Sequence, residues 1–111
     1  MEEGATLGDH VDCYTQAPIV LRKFCTVSQY SFLCTGTHDY QCVDLPHQVA
    51  PIEIGAYAWV TADVFVGPGV TVGEGAVVAV RSTVLKDVEP WTIVAGTPAK
   101  FVKKREAERP S

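Results

Sequence analysis

Ile54-Gly55-Ala56-Tyr57-Ala58-Trp59-Val60-Thr61-Ala62-Asp63-Val64-Phe65-Val66-Gly67-Pro68-Gly69-Val70-Thr71-Val72-Gly73-Glu74-Gly75-Ala76-Val77-Val78-Ala79-Val80-Arg81-Ser82-Thr83-Val84 places a branched aliphatic residue at every sixth position: Ile54, Val60, Val66, Val72, Val78 and Val84. Four places after each anchor comes a small or branched residue, namely Ala58, Val64, Val70, Ala76, Ser82 and Val88. A constant interval of six marks a parallel β-helix, in which each hexad gives one short strand and one corner and three hexads close a triangular coil. No hexad buries its own apolar side, so stability comes from stacking coil on coil. Gly55, Gly67, Gly73 and Gly75 fall in the corners, where a positive φ is expected. The same stretch also reads as an antiparallel meander with tight turns, but that predicts variable spacing between turns, and the spacing here does not vary.

Toward the amino end a weaker version appears as Leu21, Val27 and Leu33, with Cys25, Ser31 and Thr37 at the small positions, and before that as Leu7 and Cys13. The register slips by two residues around Pro18-Ile19-Val20, which predicts a small bulge at one corner. Hexads stop after Thr37 and resume at Ile54, so residues 38–53 read as an excursion, the part of a rigid solenoid where function is usually placed. Beyond Val88 the repeat ends, and residues 90–111 read as a cap folded over the last coil with one helical turn. The whole, 1–111, is one domain. Trp59 and Val77, three hexads apart, should stack on one outer face, and Phe65 and Thr83 on the next; apolar side chains there suggest a subunit contact or a ligand groove.

With 111 residues, 47% hydrophobic, 20% charged and a net charge of −4, the chain suits one compact domain. The acidic balance leaves no electrostatic footprint for nucleic acid, because the only basic run is Lys100 to Arg105. Met1-Glu2-Glu3-Gly4 has neither a cationic nor an apolar leader character, and no apolar run is long enough to cross a bilayer, so a cytoplasmic location without membrane contact is expected. Cys13, Cys25, Cys34 and Cys42 show no C-x-x-C pairing, which favours reduced thiols over zinc or disulfides.

Gly36-Thr37-His38-Asp39-Tyr40, the hexads from Ile54 to Asp87, and Pro90-Trp91-Thr92-Ile93-Val94-Ala95-Gly96-Thr97-Pro98-Ala99-Lys100 resemble the hexapeptide-repeat acyltransferases, and within them the colanic-acid and capsule-type sugar O-acetyltransferases. The resemblance runs from Leu7 to Arg105. It implies an all-β, left-handed parallel β-helix that forms a homotrimer, with acetyl-CoA as acyl donor in a groove between subunits and no metal. Relatives carry more coil before the position of Leu7, and Lys23 stands where they often have an Asp-containing corner.

His38 is the expected catalytic residue. A general base must take the proton of an acceptor hydroxyl while that oxygen attacks a thioester carbonyl, and imidazole titrates near neutral pH. Asp39 and Tyr40 are expected to bind the acceptor, probed first as a sugar. By resemblance, Trp59, Ala62 and Val80 match the acetyl-CoA groove, and Lys86, Lys100 and Lys103 its cationic positions. His10 and His47 read as solvated. Two alternatives stay open: an acceptor that is an amine or a xenobiotic, and a non-catalytic trimeric hexapeptide protein.

Overall fold

The computed structural model describes residues 1–107, an elongated body of 52 × 28 × 20 Å built entirely from short strands and turns. The first coil holds β1 (Thr6–Leu7), β2 (Asp12–Tyr14) and β3 (Ile19–Leu21). The second holds β4 (Thr26–Val27) and β5 (Phe32–Cys34), throws out a hairpin of β6 (Gly36–His38) and β7 (His47–Val49), and closes with β8 (Ile52–Ile54). The third is β9 (Trp59–Val60), β10 (Phe65–Val66) and β11 (Thr71–Val72). The fourth is β12 (Val77–Val78), β13 (Thr83–Val84) and a single bridge from Val88 to Val72. β14 (Thr92–Ala95) begins a fifth, and β15 (Lys100–Lys104) returns antiparallel along it.

Parallel pairing joins equivalent strands of successive coils into three faces. The first runs β1-β4-β9-β12-β14, the second β2-β5-β10-β13, and the third β3-β8-β11. The coils wind left-handedly. Leu21, Val27, Leu33, Ile54, Val60, Val66, Val72, Val78 and Val84 all point inward and are at most 4% exposed. Each fully buried aliphatic side chain of this size contributes about 1.5–3 kcal/mol, so the column of anchors is the main source of stability. Trp59 pairs with Val77 and Phe65 with Thr83 on the outside, as the interval of three hexads predicts.

The corners depart from expectation. Positive φ is carried mainly by bulky residues at equivalent corners: His10, Tyr30, Asp63 and Arg81 between the first and second faces, and Phe24, Tyr57 and Trp91 between the third and first. Such a conformation costs an L-residue about 1–2 kcal/mol. Contacts up each corner offset it: His10 stacks on Tyr30 at 5.0 Å, Phe24 on Tyr57 at 5.5 Å, and Arg81 pairs with Asp63 at 3.5 Å. Of the four glycines expected there, only Gly75 has φ > 0. Gly55 and Gly73 are required for a different reason: a Cβ on either would lie 2.6 Å from a backbone nitrogen of the next coil.

Three boundaries also shift. The buried small residue before the hairpin is Thr35, while Thr37 is exposed. Its hydroxyl accepts from Gln16 N and Ala17 N and donates to Tyr14 O, so it fills the corner made by the two extra residues of the first coil. The chain re-enters the coil at Ile52, which is fully buried, two residues before Ile54. Val88 occupies a strand position beside Val72, so the last corner is shortened by two residues. The expected helical turn after residue 90 is absent among the described residues, because the antiparallel pairing of β14 and β15 uses that backbone as strand. Residues 108–111 of the expected cap lie outside the described residues.

Candidate active site

Thr35 O accepts from Ala50 N at 3.0 Å, so the hairpin leaves and rejoins the solenoid at one point, the edge between the second and third faces. Its tip is shaped by Asp39: the main-chain N donates to Pro46 O, and the carboxylate accepts from Gln41 N at 3.0 Å and Cys42 Sγ at 3.5 Å. Asp39 therefore uses its carboxylate to fold the loop, which is what a short acidic side chain does in an Asx turn. Tyr40 is 83% exposed.

His38 Nδ1 lies 2.8 Å from Leu45 O. A carbonyl only accepts, so Nδ1 carries the hydrogen and Nε2 of the neutral ring keeps its lone pair. Leu45 holds a φ of 50° to turn the chain there. Across the hairpin His38 is register partner of His47, and the two rings lie 5.1 Å apart at 33°. Gly36 and Val49 share that face by alternation, and the Tyr14 ring from the first coil packs over Gly36. Thr37 and Gln48 point the other way, into a cleft of about 500 Å³ completed by Val49, Ala50 and Pro68.

The remaining expected site residues lie elsewhere. Ala62 and Val80 share a groove of about 390 Å³ with Gln29, Tyr30, Asp63 and Arg81, on the edge between the first and second faces. Trp59 lies half-exposed on the first face, where its Nε1–H donates to Ser28 Oγ at 2.8 Å. Lys86 and Lys100 line one apolar cleft of about 470 Å³ at the far end of the solenoid, with Val84, Val88, Val94 and Phe101 as its floor and walls. Lys103 sits on β15 opposite Ile93. One chain thus pairs Ala62 with Val80 and Lys86 with Lys100, and puts His38 on a different edge from the first pair. The Leu45 carbonyl and the His47 ring beside His38 were missed from sequence, since the first is a main-chain partner in the loop and the second follows from a hairpin register, neither of which hexad spacing encodes.

Among the described residues, no three His, Cys, Asp or Glu side chains gather as a metal would require, and no helix is long and apolar enough to cross a membrane. No family model matches the chain. A protein of Escherichia coli (strain K12) named as a colanic acid biosynthesis acetyltransferase, WcaF, is 41% identical over 101 residues, which are 91% of this chain and 56% of the relative. Over most of its length the chain is thus similar to the hexapeptide-repeat sugar acetyltransferases. This hexapeptide-repeat chain spans a little over half the length of that relative. It also superposes on a maltose O-acetyltransferase from Clostridium difficile 630 with a TM-score of 0.79 at 23% identity, covering 94% of this chain and 60% of the other. A second solved structure is AntD, an N-acyltransferase from Bacillus cereus in complex with dTDP and 3-hydroxybutyryl-CoA. It gives a TM-score of 0.84 at 18% identity, over 92% of this chain and 60% of AntD.

Proposed function

We propose that the protein transfers an acetyl group from acetyl-CoA to a hydroxyl of a sugar or a similar small molecule, with His38 as general base. The observation that carries this reading is the Nδ1–H···O bond from His38 to Leu45, which leaves the Nε2 lone pair of an exposed histidine available. In the reaction, Nε2 takes the acceptor's proton as its oxygen bonds to the thioester carbonyl carbon. The tetrahedral intermediate then collapses, the C–S bond breaks, and the departing thiolate takes the proton back from the imidazolium. Leu45 O stabilises the imidazolium by accepting from Nδ1, the orienting role that a base of this kind needs.

The donor is proposed to lie along the groove of Ala62 and Val80, passing Trp59, with its phosphates toward Lys86, Lys100 and Lys103. Asp39 and Tyr40 border the acceptor, Tyr40 as the free ring and Asp39 through the loop shape it maintains. Because His38 and the Ala62 groove lie on different edges, the site is completed by a neighbouring copy, which supports a homotrimer. The name of the colanic acid relative supports a sugar acceptor. Four free cysteines suit the reducing cytoplasm, where acetyl-CoA is also found.

The test is His38→Ala, assayed with acetyl-CoA against a panel of hexoses and amino hexoses. Transfer should fall about 10²- to 10⁴-fold while the rise in Tm caused by coenzyme A is retained. Full activity in the variant would remove His38 from the mechanism. Loss of the coenzyme A effect would make it a groove residue instead.

A further inference from the structure

The His38 ring is held through one nitrogen by one carbonyl, and the loop that carries both is exposed but for the half-buried Asp39. A single N–H···O bond fixes a point but lets the ring swing about that axis, so Nε2 could sweep through a wide arc. A general base gains most of its advantage from direction, and misplacement by about 1 Å can cost about 10²-fold. Something else must stop the swing.

Resting on the reading of His38 as the base, we propose that His47 is a positioning residue: its imidazole, on an exposed strand, braces His38 from across the hairpin and itself lies over Gly36, on which the Tyr14 ring also packs. The strand register puts His47 directly across from His38, with ring centroids 5.1 Å apart. The space His47 occupies exists because residue 36 has no side chain. A Cβ there would lie 2.9 Å from His47 Nε2 and 2.8 Å from Tyr14 Cε2. Tyr14 belongs to β2 of the first coil, so the contact series Tyr14, Gly36, His47, His38 ties a base on a projecting loop to the rigid solenoid. Any flat ring at position 47 would serve as the brace, whereas a small side chain would leave a gap.

The role separates from a merely structural one by experiment. His47→Ala should lower the rate of acetyl-CoA hydrolysis and of transfer about 10- to 100-fold, with KM for acetyl-CoA unchanged, and His47→Phe should recover most of that loss. Gly36→Ala, which drives a methyl between Tyr14 and His47, should act like His47→Ala, and the two changes combined should be far from additive. Nitrogen-15 NMR of the imidazoles gives a readout independent of activity: the parent should show His38 as the Nδ1–H tautomer, and His47→Ala should show both tautomers. An unchanged His38 spectrum and parental rates in His47→Ala would overturn the proposal and leave His38 as base. Parental rates in His38→Ala would instead overturn the reading on which it rests.

Discussion

Gly55 and Gly73 show how little room a coil leaves at its corners. An alanine at either must push a Cβ to 2.6 Å from the backbone of the next coil, which has no side-chain freedom to yield, whereas a Cβ at Gly67 would meet nothing nearer than Leu85 Cδ2 at 3.4 Å. Gly55→Ala should therefore cost about 1–3 kcal/mol in urea unfolding, and Gly67→Ala should stay within about 0.5 kcal/mol. The cysteines divide just as sharply. Burial pushes the thiols of Cys25 and Cys13 up from the ordinary value, while Cys42 is exposed on the hairpin. A raised folded-state value favours the neutral thiol in the fold, so this stabilisation is complete below pH 9.0 and is lost as pH climbs above it. Iodoacetamide at pH 8 should label Cys42 first and Cys25 only on unfolding, and Cys25→Ala should lose less stability than the parent between pH 9 and 10. The sequence suggested glycines for the positive-φ corners because glycine pays least there. It could not show that His10, Tyr30, Phe24 and Tyr57 take those corners, since their strain is offset by a neighbour some 20 to 33 residues away in the chain.

Strands and hairpin differ in what holds them. Ile52 is fully buried between stacked coils, whereas Leu7 on the first coil is 39% exposed. Ile52→Ala should cost about 2–5 kcal/mol and Leu7→Ala under about 1 kcal/mol, as read from thermal or urea melts. The hairpin contributes no anchor, and its two ends already meet through the Ala50 N–Thr35 O bond. Replacing residues 36–49 by a two-glycine turn should leave the melting transition nearly intact and abolish transfer; a collapse of the fold would show that the hairpin is part of the scaffold. Hexads were readable because a narrow triangular core accepts only a few aliphatic shapes at a fixed interval. The exit at Thr35, the entry at Ile52 and the short corner before Val88 were not readable, because a corner absorbs two residues without changing any anchor. Likewise His38 stood out by its motif, but its partners are a main-chain carbonyl and a cross-strand ring, and neither leaves a mark on composition.

At the scale of the molecule, the half-exposed Trp59 beside Val77 and Ile93 makes an apolar stripe up the first face. If that stripe is where copies meet, light scattering should report three times the 12.0 kDa of one chain, and Trp59→Glu should give monomers that lose transfer while keeping the β-rich circular dichroism. A concentration-independent monomer with undiminished transfer would refute the shared site.

The uniform coil from Trp59 to Val77 makes the solenoid a ruler as well as a scaffold. Each coil adds one strand spacing, about 4.8 Å, between the hairpin above and the lysine-lined cleft below. Duplicating residues 59–76 in frame would insert one graduation, and the Arg105 guanidinium that now reaches Tyr57 O and Gly75 O would then span Gly75 and its copy. The distance from His38 to Lys86 and Lys100 could then be set in whole steps, and if these are the base and the donor end of the proposed site, the length of acyl carrier that still reacts would be counted directly in coils.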